Sequence, residues 1–167
     1  MNETPFHLTN KTVFVTGASS GIGRQIAIAI SNMGGKLVIT GRNQERLNET
    51  LSLLTGIGHL SFQADFNDKK QLVDLIANLP VLDGVVMNAG VVNALPIRFL
   101  TEEKIKETFR INFESIVLLM AGISGKRKLN KESSVVFISS ISSSFPPKGG
   151  AMYSSAKAAI ETFSKVF

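Results

Sequence analysis

The chain has 167 residues, of which 44% are hydrophobic and 19% charged, with no cysteine and a formal net charge of +5. A chain of this length and composition is expected to fold as a single domain, residues 1–167, with a substantial core, and the absence of cysteine excludes disulfides and thiolate chemistry. The positive charge does not indicate a nucleic-acid partner, because the single dense cluster, Lys126-Arg127-Lys128 with Lys131, has no interleaved aromatic residues to stack on bases and is typical of a solvated loop.

Short apolar runs rich in valine and isoleucine alternate with segments of helical period along the chain. The predicted strands are residues 12–16, 37–40, 60–64, 84–88 and 135–139, and the predicted helices are residues 22–33, 44–54, 69–79, 101–122 and 152–167. This alternation predicts an α/β fold with a parallel sheet and helices on both faces. The last helix reaches Phe167 without a stop signal, so we expect the fold to be truncated there, after the helix that carries Tyr153 and Lys157.

The first strand leads into a glycine-rich turn, Thr16-Gly17-Ala18-Ser19-Ser20-Gly21-Ile22-Gly23, and then into an apolar helix. In this context the glycines let the backbone approach a pyrophosphate, whose charge is stabilised by the N–H groups and the dipole at the helix N-terminus. The alternative is an ordinary strand–helix turn. A nucleoside-triphosphate loop would need Gly-Lys-Ser/Thr, whereas Gly23 is followed by Arg24-Gln25, so the common phosphoryl-transfer function is excluded.

Tyr153 is the only tyrosine, and it lies four residues before Lys157 and thirteen after Ser140. On a helix, Tyr153 and Lys157 project from the same face about one turn apart. A neighbouring ammonium stabilises a phenolate and makes the phenol a better proton donor at neutral pH. Together with the glycine-rich turn, this pattern indicates a nucleotide-dependent oxidoreductase. The alternative is that Tyr153 is an interface aromatic beside a flexible loop over residues 139–144.

The glycine-rich turn, the Asn88-Ala89-Gly90 segment, Ser140 and the Tyr153-x-x-x-Lys157 pair occur in an order and at distances that resemble the short-chain dehydrogenase/reductase family, over nearly the whole chain. The resemblance implies a Rossmann-type doubly wound sheet that binds a nicotinamide dinucleotide. The cofactor-binding residues that it implies are Gly17, Ser19, Ser20, Gly21, Ile22, Gly23, Arg42, Asp65, Phe66, Asn88, Ala89, Gly90, Tyr153 and Lys157. For Asn88, a hydrogen-bonded structural role is an equal alternative.

The segment after the second strand favours one of the two nicotinamide cofactors. An acidic residue there would bind the free adenosine ribose and repel a 2′-phosphate, but this chain has Thr40-Gly41-Arg42-Asn43. A guanidinium can bind a phosphate bidentately, so Arg42 favours NADP(H) over NAD(H). The alternative is that Arg42 only begins a surface helix. The nearby Arg24 either assists Arg42 in binding the phosphate or faces solvent.

The resemblance also implies four catalytic residues. Tyr153 donates the proton in carbonyl reduction and accepts it in alcohol oxidation. Lys157 makes Tyr153 a better proton donor and binds the nicotinamide ribose, and Ser140 polarises the substrate carbonyl. Asn112, within the helix predicted over residues 101–122, holds a water that links Lys157 to solvent; its alternatives are a kink or a surface residue. Ser139 is a rival to Ser140, but the spacing to Tyr153 favours Ser140 and strand alternation points Ser139 the other way.

These residues predict the NADP(H)-dependent interconversion of a carbonyl and a secondary alcohol; the alternative is a nucleotide-binding module, or an inactive fragment, without turnover. The loops over residues 91–99 and 141–150 are expected to line the substrate cleft. One hypothesis is a 3-oxoacyl group on acyl carrier protein, docked by the basic cluster. Sugars, polyols, steroids and simple ketones remain open.

The resemblance implies a homodimer or homotetramer paired through the helices over residues 101–122 and 152–167. No apolar run approaches the roughly 20 residues that span a bilayer, and residues 1–5 lack the features of a secretory signal, so we expect a cytoplasmic protein without a membrane partner. His7 and His59 are isolated from other ligands, so no metal site is predicted.

Overall fold

A computed structural model describes residues 6–167. Residues 1–5, on which the expectation about a secretory signal depends, lie outside the described residues. In the described part of the chain, five strands form one parallel sheet in the order β3-β2-β1-β4-β5. Their bounds are β1 Thr12–Thr16, β2 Lys36–Gly41, β3 Leu60–Gln63, β4 Leu82–Met87 and β5 Leu129–Phe137.

In residues 6–167, six α-helices connect and cover these strands. They are α1 Gly21–Asn32, α2 Gln44–Ser52, α3 Lys69–Asn78, α4 Glu102–Phe109, α5 Ser115–Gly125 and α6 Ala151–Ser164. Short 3-10 turns lie at Ile97–Phe99 and Ile141–Ser143. Within residues 6–167, none of the helices has the length and apolar character that crossing a membrane requires.

Alternate residues of each central strand enter separate cores on the two faces of the sheet. Val13 and Val15 of β1 pack with residues of α1 and α2 on one face, whereas Phe14 packs with residues of α3, α5 and α6 on the other. Successive side chains of a strand point to opposite faces, which explains why the buried strands are apolar throughout. The predicted α/β fold, a doubly wound sheet with helices on both faces, is therefore confirmed.

Two predicted elements differ from the structure. The helix expected over residues 101–122 is interrupted by a π-helical segment, Arg110–Glu114, between α4 and α5. The last strand begins at Leu129 instead of residue 135, so Lys131 lies in β5 and only residues 126–128 form a loop. Lys128 is not simply solvated there, because its ammonium donates to the Leu79 carbonyl just after α3 at 2.5 Å.

The order of the strands places a crevice at one edge of the sheet. β1 and β4 are neighbours, but the helix that follows β1 covers one face and the helices that follow β4 cover the other. At such a switch point the two connections diverge and leave an opening beyond the carboxyl ends of the strands. The glycine-rich turn after β1 and the Asn88-Ala89-Gly90 segment after β4 both lie at this edge.

His59 completes the hydrogen-bond ladder of the sheet just before β3. The Leu37 N–H of β2 donates to His59 Nδ1 at 3.0 Å, and His59 Nε2 lies 3.0 Å from the Thr55 carbonyl. Leu37 is fully buried with the ring in place, and its N–H loses this acceptor if the ring is removed. His59→Ala is therefore expected to lower the free energy of unfolding by about 1–3 kcal/mol. Urea denaturation measures this, with the exposed His7→Ala as control; equal stabilities of the two variants would contradict the expectation.

Candidate cofactor cleft and catalytic residues

A cavity of about 830 Å³ lies at the carboxyl edge of the sheet. It is lined by most of the residues that the resemblance implies for cofactor binding. These are Gly17, Ser19, Ser20, Gly21, Ile22, Arg42, Asp65, Phe66, Asn88, Ala89 and Gly90. Gly23, Tyr153 and Lys157 are not part of its lining. The cavity is large enough for a small-molecule cofactor, since ligand pockets commonly measure roughly 300–1,000 Å³.

Each glycine of the turn has a different steric role. Gly17 has φ +65°, and a β-carbon on it would lie 2.9 Å from the Ala89 Cα. A β-carbon on Gly23 would lie 2.4 Å from the Gly17 carbonyl oxygen and 2.5 Å from Asn88 Nδ2, so α1 can pack against the turn only with glycine there. Gly21 has φ +54° but faces open space at the cavity. This arrangement leaves room for a phosphate to approach the backbone.

The N-terminus of α1 is open, unlike those of α2, α3 and α4. Asn43, Asp68 and Thr101 accept hydrogen bonds from the first-turn N–H groups of these other helices, whereas Ser20 makes no side-chain cap. The first N–H groups of a helix have no intrahelical partner, and they carry partial positive charge. Because α1 begins at the cavity wall, its uncapped end provides the donors that an anion needs. The cleft therefore fits a dinucleotide pyrophosphate.

Asn88 joins the two strands at the switch point and also lines the cavity. Its Nδ2 donates to the Thr16 carbonyl at 3.0 Å and to the Gly17 carbonyl at 3.3 Å. The Thr16 hydroxyl accepts from the Asn88 N–H at 2.9 Å and the Ala89 N–H at 3.0 Å. These bonds fix the glycine-rich turn relative to the end of β4, so the structural role considered for Asn88 is present.

Two arginines line the far end of the cavity, and only one of them is expected from the sequence. Arg42 and Arg46 are both exposed there, just before and within the first turn of α2. The sequence signal that could indicate Arg46 as a second cavity residue is its spacing of four residues from Arg42. Arg24 does not join them, because its guanidinium is bonded to the Ser19 carbonyl at 2.7 Å and to Glu49 at 2.9 Å. Arg24 thus braces the glycine-rich turn against α2.

Asp65 and Phe66 border the cavity in different ways. Asp65 is half-buried and its carboxylate accepts the Asn67 N–H at 2.9 Å, within a tight turn after β3. Phe66 is only 6% exposed and belongs to the core on the α3 side of the sheet. Most of the Phe66 ring is therefore used in packing, and little of it faces the cleft.

Lys157 is a buried cation on α6. It is 3% exposed, and burial lowers the pKa of its ammonium. The ammonium donates to the Ile138 carbonyl at 2.7 Å and lies 5.8 Å from the centroid of the Tyr153 ring. It also lies 3.5 Å from the point where a β-carbon of Gly90 would stand. Lys157 thus connects Tyr153, one turn before it on α6, to the wall of the cleft.

Asn112 lies at the centre of the π-helical segment and is completely buried. Its Oδ1 accepts from the Val91 N–H at 3.0 Å, and its Nδ2 donates to the Val91 and Thr108 carbonyls, each at 3.0 Å. Gly90 must be glycine beside it, because a β-carbon there would lie 2.8 Å from Asn112 Oδ1. Asn112 is therefore not a surface residue, and both ends of its amide hold the segment that follows β4.

Ser139 and Ser140 have separate partners. Ser140 Oγ accepts from the Ser142 N–H at 3.1 Å, at the start of the 3-10 turn. Ser139 Oγ donates to Glu161 of α6 at 2.6 Å. Because β5 ends at Phe137, strand alternation does not separate the two serines. The Ser139 hydroxyl is instead committed to a carboxylate, and Ser140 remains the candidate for substrate contact.

The fold and cleft are those of a dinucleotide-binding α/β protein. The sequence pattern that defines the short chain dehydrogenase family matches residues 11–167, and the chain belongs to this family.

The relatives of the chain include reductases and a protein solved with a nicotinamide cofactor. This chain is 31% identical over 154 residues to the 3-oxoacyl-acyl-carrier-protein reductase FabG of Rickettsia felis. The match covers 92% of this chain and 63% of that protein. An uncharacterized oxidoreductase of Listeria innocua is 28% identical, covering 95% of this chain and 66% of its own length. A short chain dehydrogenase of Escherichia coli CFT073, solved in complex with NADPH, is 29% identical with a TM-score of 0.85, covering 98% of this chain and 72% of that one. The chain thus spans about two thirds of the length of the curated relatives it matches.

Proposed function

We propose that this chain interconverts a carbonyl and a secondary alcohol with NADP(H), using Tyr153 as the proton donor and acceptor. The observation that carries the proposal is the position of Lys157: its buried ammonium lies beside both the Tyr153 ring and Gly90 of the cleft wall. A cation in this position stabilises a phenolate next to a bound cofactor. Membership of the short chain dehydrogenase family supports the same chemistry.

Each residue of the site has a defined role in carbonyl reduction. A nicotinamide cofactor held in the cleft would supply the hydride for the carbonyl carbon. Tyr153 gives its phenolic proton to the carbonyl oxygen, and Lys157 stabilises the phenolate that remains. Ser140 donates a hydrogen bond to the same oxygen and polarises the carbonyl. Asn112 contributes by holding Val91, and hence the cleft wall at Gly90, next to Lys157; the water-holding role that the resemblance implies for it is part of the same proposal.

The preference for NADP(H) over NAD(H) follows from the charge at the far end of the cavity. Arg42 and Arg46 line it together, and neither makes an ion pair with a carboxylate in residues 6–167. Two exposed guanidinium groups would bind a 2′-phosphate and gain nothing from a free ribose. The related Escherichia coli CFT073 protein was solved with NADPH, which supports this preference.

Replacing both arginines, Arg42→Ala with Arg46→Ala, is expected to weaken NADPH binding about 10- to 100-fold, because each charge-assisted contact contributes roughly 1.5–3 kcal/mol and solvent screens part of it. NADH binding is expected to change less than about threefold, since NADH lacks the 2′-phosphate. Isothermal titration with both dinucleotides measures the two affinities. Lys36→Ala, at the opposite end of β2, is the matched control. Equal losses for NADPH and NADH would contradict the assignment.

The substrate class is proposed from the relatives and the loops together. The Rickettsia felis relative is a 3-oxoacyl-acyl-carrier-protein reductase, and Val92, Ile97, Ile141 and Phe145 are exposed apolar residues on the two loops expected to line the substrate cleft. We therefore propose a 3-oxoacyl thioester as a substrate. Docking of its carrier by the basic cluster is not supported, because residues 126–128 precede β5 and lie at the amino edge of the sheet, away from the cleft.

Acetoacetyl coenzyme A with NADPH tests the proposed activity directly. Oxidation of NADPH that depends on this thioester supports a carbonyl reductase. Stoichiometric NADPH binding without turnover of carbonyl probes would instead favour a nucleotide-binding module. Sedimentation velocity tests the proposed homodimer or homotetramer, for which the exposed Ile105 and Leu118 on α4 and α5 are apolar candidates for burial.

A further inference from the structure

One carboxylate of α6 binds the serine tract that follows β5. Glu161 Oε1 accepts hydrogen bonds from Ser139 Oγ at 2.6 Å and from Ser143 Oγ at 2.5 Å. Each hydroxyl has a single proton. Each also lies near a neutral backbone carbonyl oxygen, at 3.4 Å for Ser139 Oγ and at 2.8 Å for Ser143 Oγ. Hydrogen bonds to an ionised carboxylate are shorter and roughly twice as strong as neutral ones, so both protons go to Glu161.

The two serines lie on either side of Ser140, the residue assigned to the substrate carbonyl. The Ser140 hydroxyl is held separately, by the N–H and the hydroxyl of Ser142, both at 3.1 Å. The 3-10 turn Ile141–Ser143 connects this contact to Ser143. Glu161 therefore fixes the chain before and after Ser140 without using the Ser140 hydroxyl, which donates only to the neutral Ser142 Oγ.

Glu161 belongs to a row of residues spaced four apart on α6. Tyr153, Lys157 and Glu161 follow one another at i, i+4 and i+8, so they lie along one side of the helix. The Lys157 ammonium donates to the carbonyl of Ile138, the residue just before Ser139. Lys157 and Glu161 thus hold residues 138–143 against the same helix that carries Tyr153.

We infer that Glu161 is a positioning residue, which sets the place of Ser140 relative to Tyr153 and Lys157 through its bonds to Ser139 and Ser143. The inference rests on the proposed function, because only that function gives Ser140 a reacting partner. Displacing a catalytic group by about 1 Å can lower a rate roughly 100-fold. The hydrogen bonds from Ser139 and Ser143 also lower the pKa of Glu161, so the carboxylate is ionised at neutral pH.

Amide hydrogen exchange of the serine tract tests the attachment without a substrate. The N–H groups of Ser142 and Ser143 bond to Ser140, and those of Ser144 and Phe145 bond to the Ile141 carbonyl. In Glu161→Ala these four amides are expected to exchange roughly tenfold faster, while β1 and β2 keep their protection. The control is Glu107→Ala, an exposed glutamate on α4. Unchanged exchange over residues 142–145, or the same acceleration in β1 and β2, would overturn the inference.

Turnover of acetoacetyl coenzyme A tests the route through Ser140. Glu161→Ala is expected to lower kcat about 10- to 100-fold with an unchanged Kd for NADPH, and Glu161→Gln, which keeps an acceptor, to recover part of the loss. The double variant that combines Glu161→Ala with Ser140→Ala is expected to be no slower than Ser140→Ala alone, because both changes remove the same contribution to the rate. Fully additive losses in the double variant would contradict action through Ser140.

The outcomes separate this inference from the proposed function. A Ser140→Ala variant as fast as the unmodified chain defeats the role proposed for Ser140 and, with it, the catalytic part of the inference, while the proposed carbonyl reduction stands. A slow Ser140→Ala variant beside a fast Glu161→Ala variant defeats the inference alone. If no preparation reduces the thioester, the exchange of residues 142–145 decides whether Glu161 holds the tract.

Discussion

Replacing Tyr153 by phenylalanine is expected to lower kcat for carbonyl reduction by roughly 10²–10⁴-fold, the range contributed by a positioned proton donor. Phenylalanine keeps the ring beside the Lys157 ammonium, 5.8 Å from the ring centroid in the unmodified chain, and removes only the hydroxyl. The loss therefore reports proton transfer more directly than a change of packing would. NADPH affinity is expected to fall less than about tenfold, because most of the cavity lining lies on other elements.

The measurement is the initial rate of NADPH oxidation with acetoacetyl coenzyme A, together with the Kd for NADPH from fluorescence. Phe163→Leu, on the same helix but in the aromatic cluster with Phe137, is a matched control that changes α6 packing without changing the cleft. A Tyr153→Phe variant with near-normal kcat would rule out Tyr153 as the proton donor and would require another group to supply the proton.

Replacing Gly23 by alanine is expected to abolish tight NADPH binding and to lower the free energy of unfolding by about 3 kcal/mol, the upper end of overpacking costs. The added β-carbon would stand 2.4 Å from the Gly17 carbonyl oxygen and 2.5 Å from Asn88 Nδ2. Either contact can relax only if α1 moves away from the turn or the Asn88 amide leaves the end of β1. Both movements disturb the wall of the cleft.

Urea denaturation and NADPH titration of the Gly23→Ala variant measure the two effects. Gly125→Ala is the control, because a β-carbon at this position in the last turn of α5 meets nothing within 4 Å. This control is expected to be neutral or more stable by up to about 1 kcal/mol, since alanine has the higher helix propensity. A Gly23→Ala variant that binds NADPH as tightly as the control would show that the turn tolerates a side chain.

Much of the fold could be predicted from the sequence because local patterns and tertiary structure agree. The apolar runs of β1, β2 and β4 are buried on both faces, so their apolar composition is a direct consequence of their place in the sheet. The start of β5 is not predictable from the sequence for the opposite reason. Its first residues, Leu129–Ser134, are largely polar and exposed, and only pairing with β4 makes them a strand.

The geometry of the candidate site could be predicted where it depends on spacing along the chain, and not where it depends on contacts between distant segments. The glycine-rich turn and the Tyr153–Lys157 pair are local patterns. The π-helical segment around Asn112 is not, because it forms where a buried amide bonds to Val91, twenty-one residues away. Glu161 cannot be found from local spacing for the same reason: its serine partners lie eighteen and twenty-two residues before it.

The burial of Lys157 has a consequence for chemical labelling of the protein. Reagents that acylate amines reach the lysines on the surface, but the Lys157 amine is enclosed between α6 and the end of β5 and is bonded to the Ile138 carbonyl. Modification of this one amine therefore requires α6 to separate from the sheet, and its labelling rate follows the opening of that contact. Mass spectrometry of acylated peptides can thus use Lys157 as a built-in reporter of local opening at α6.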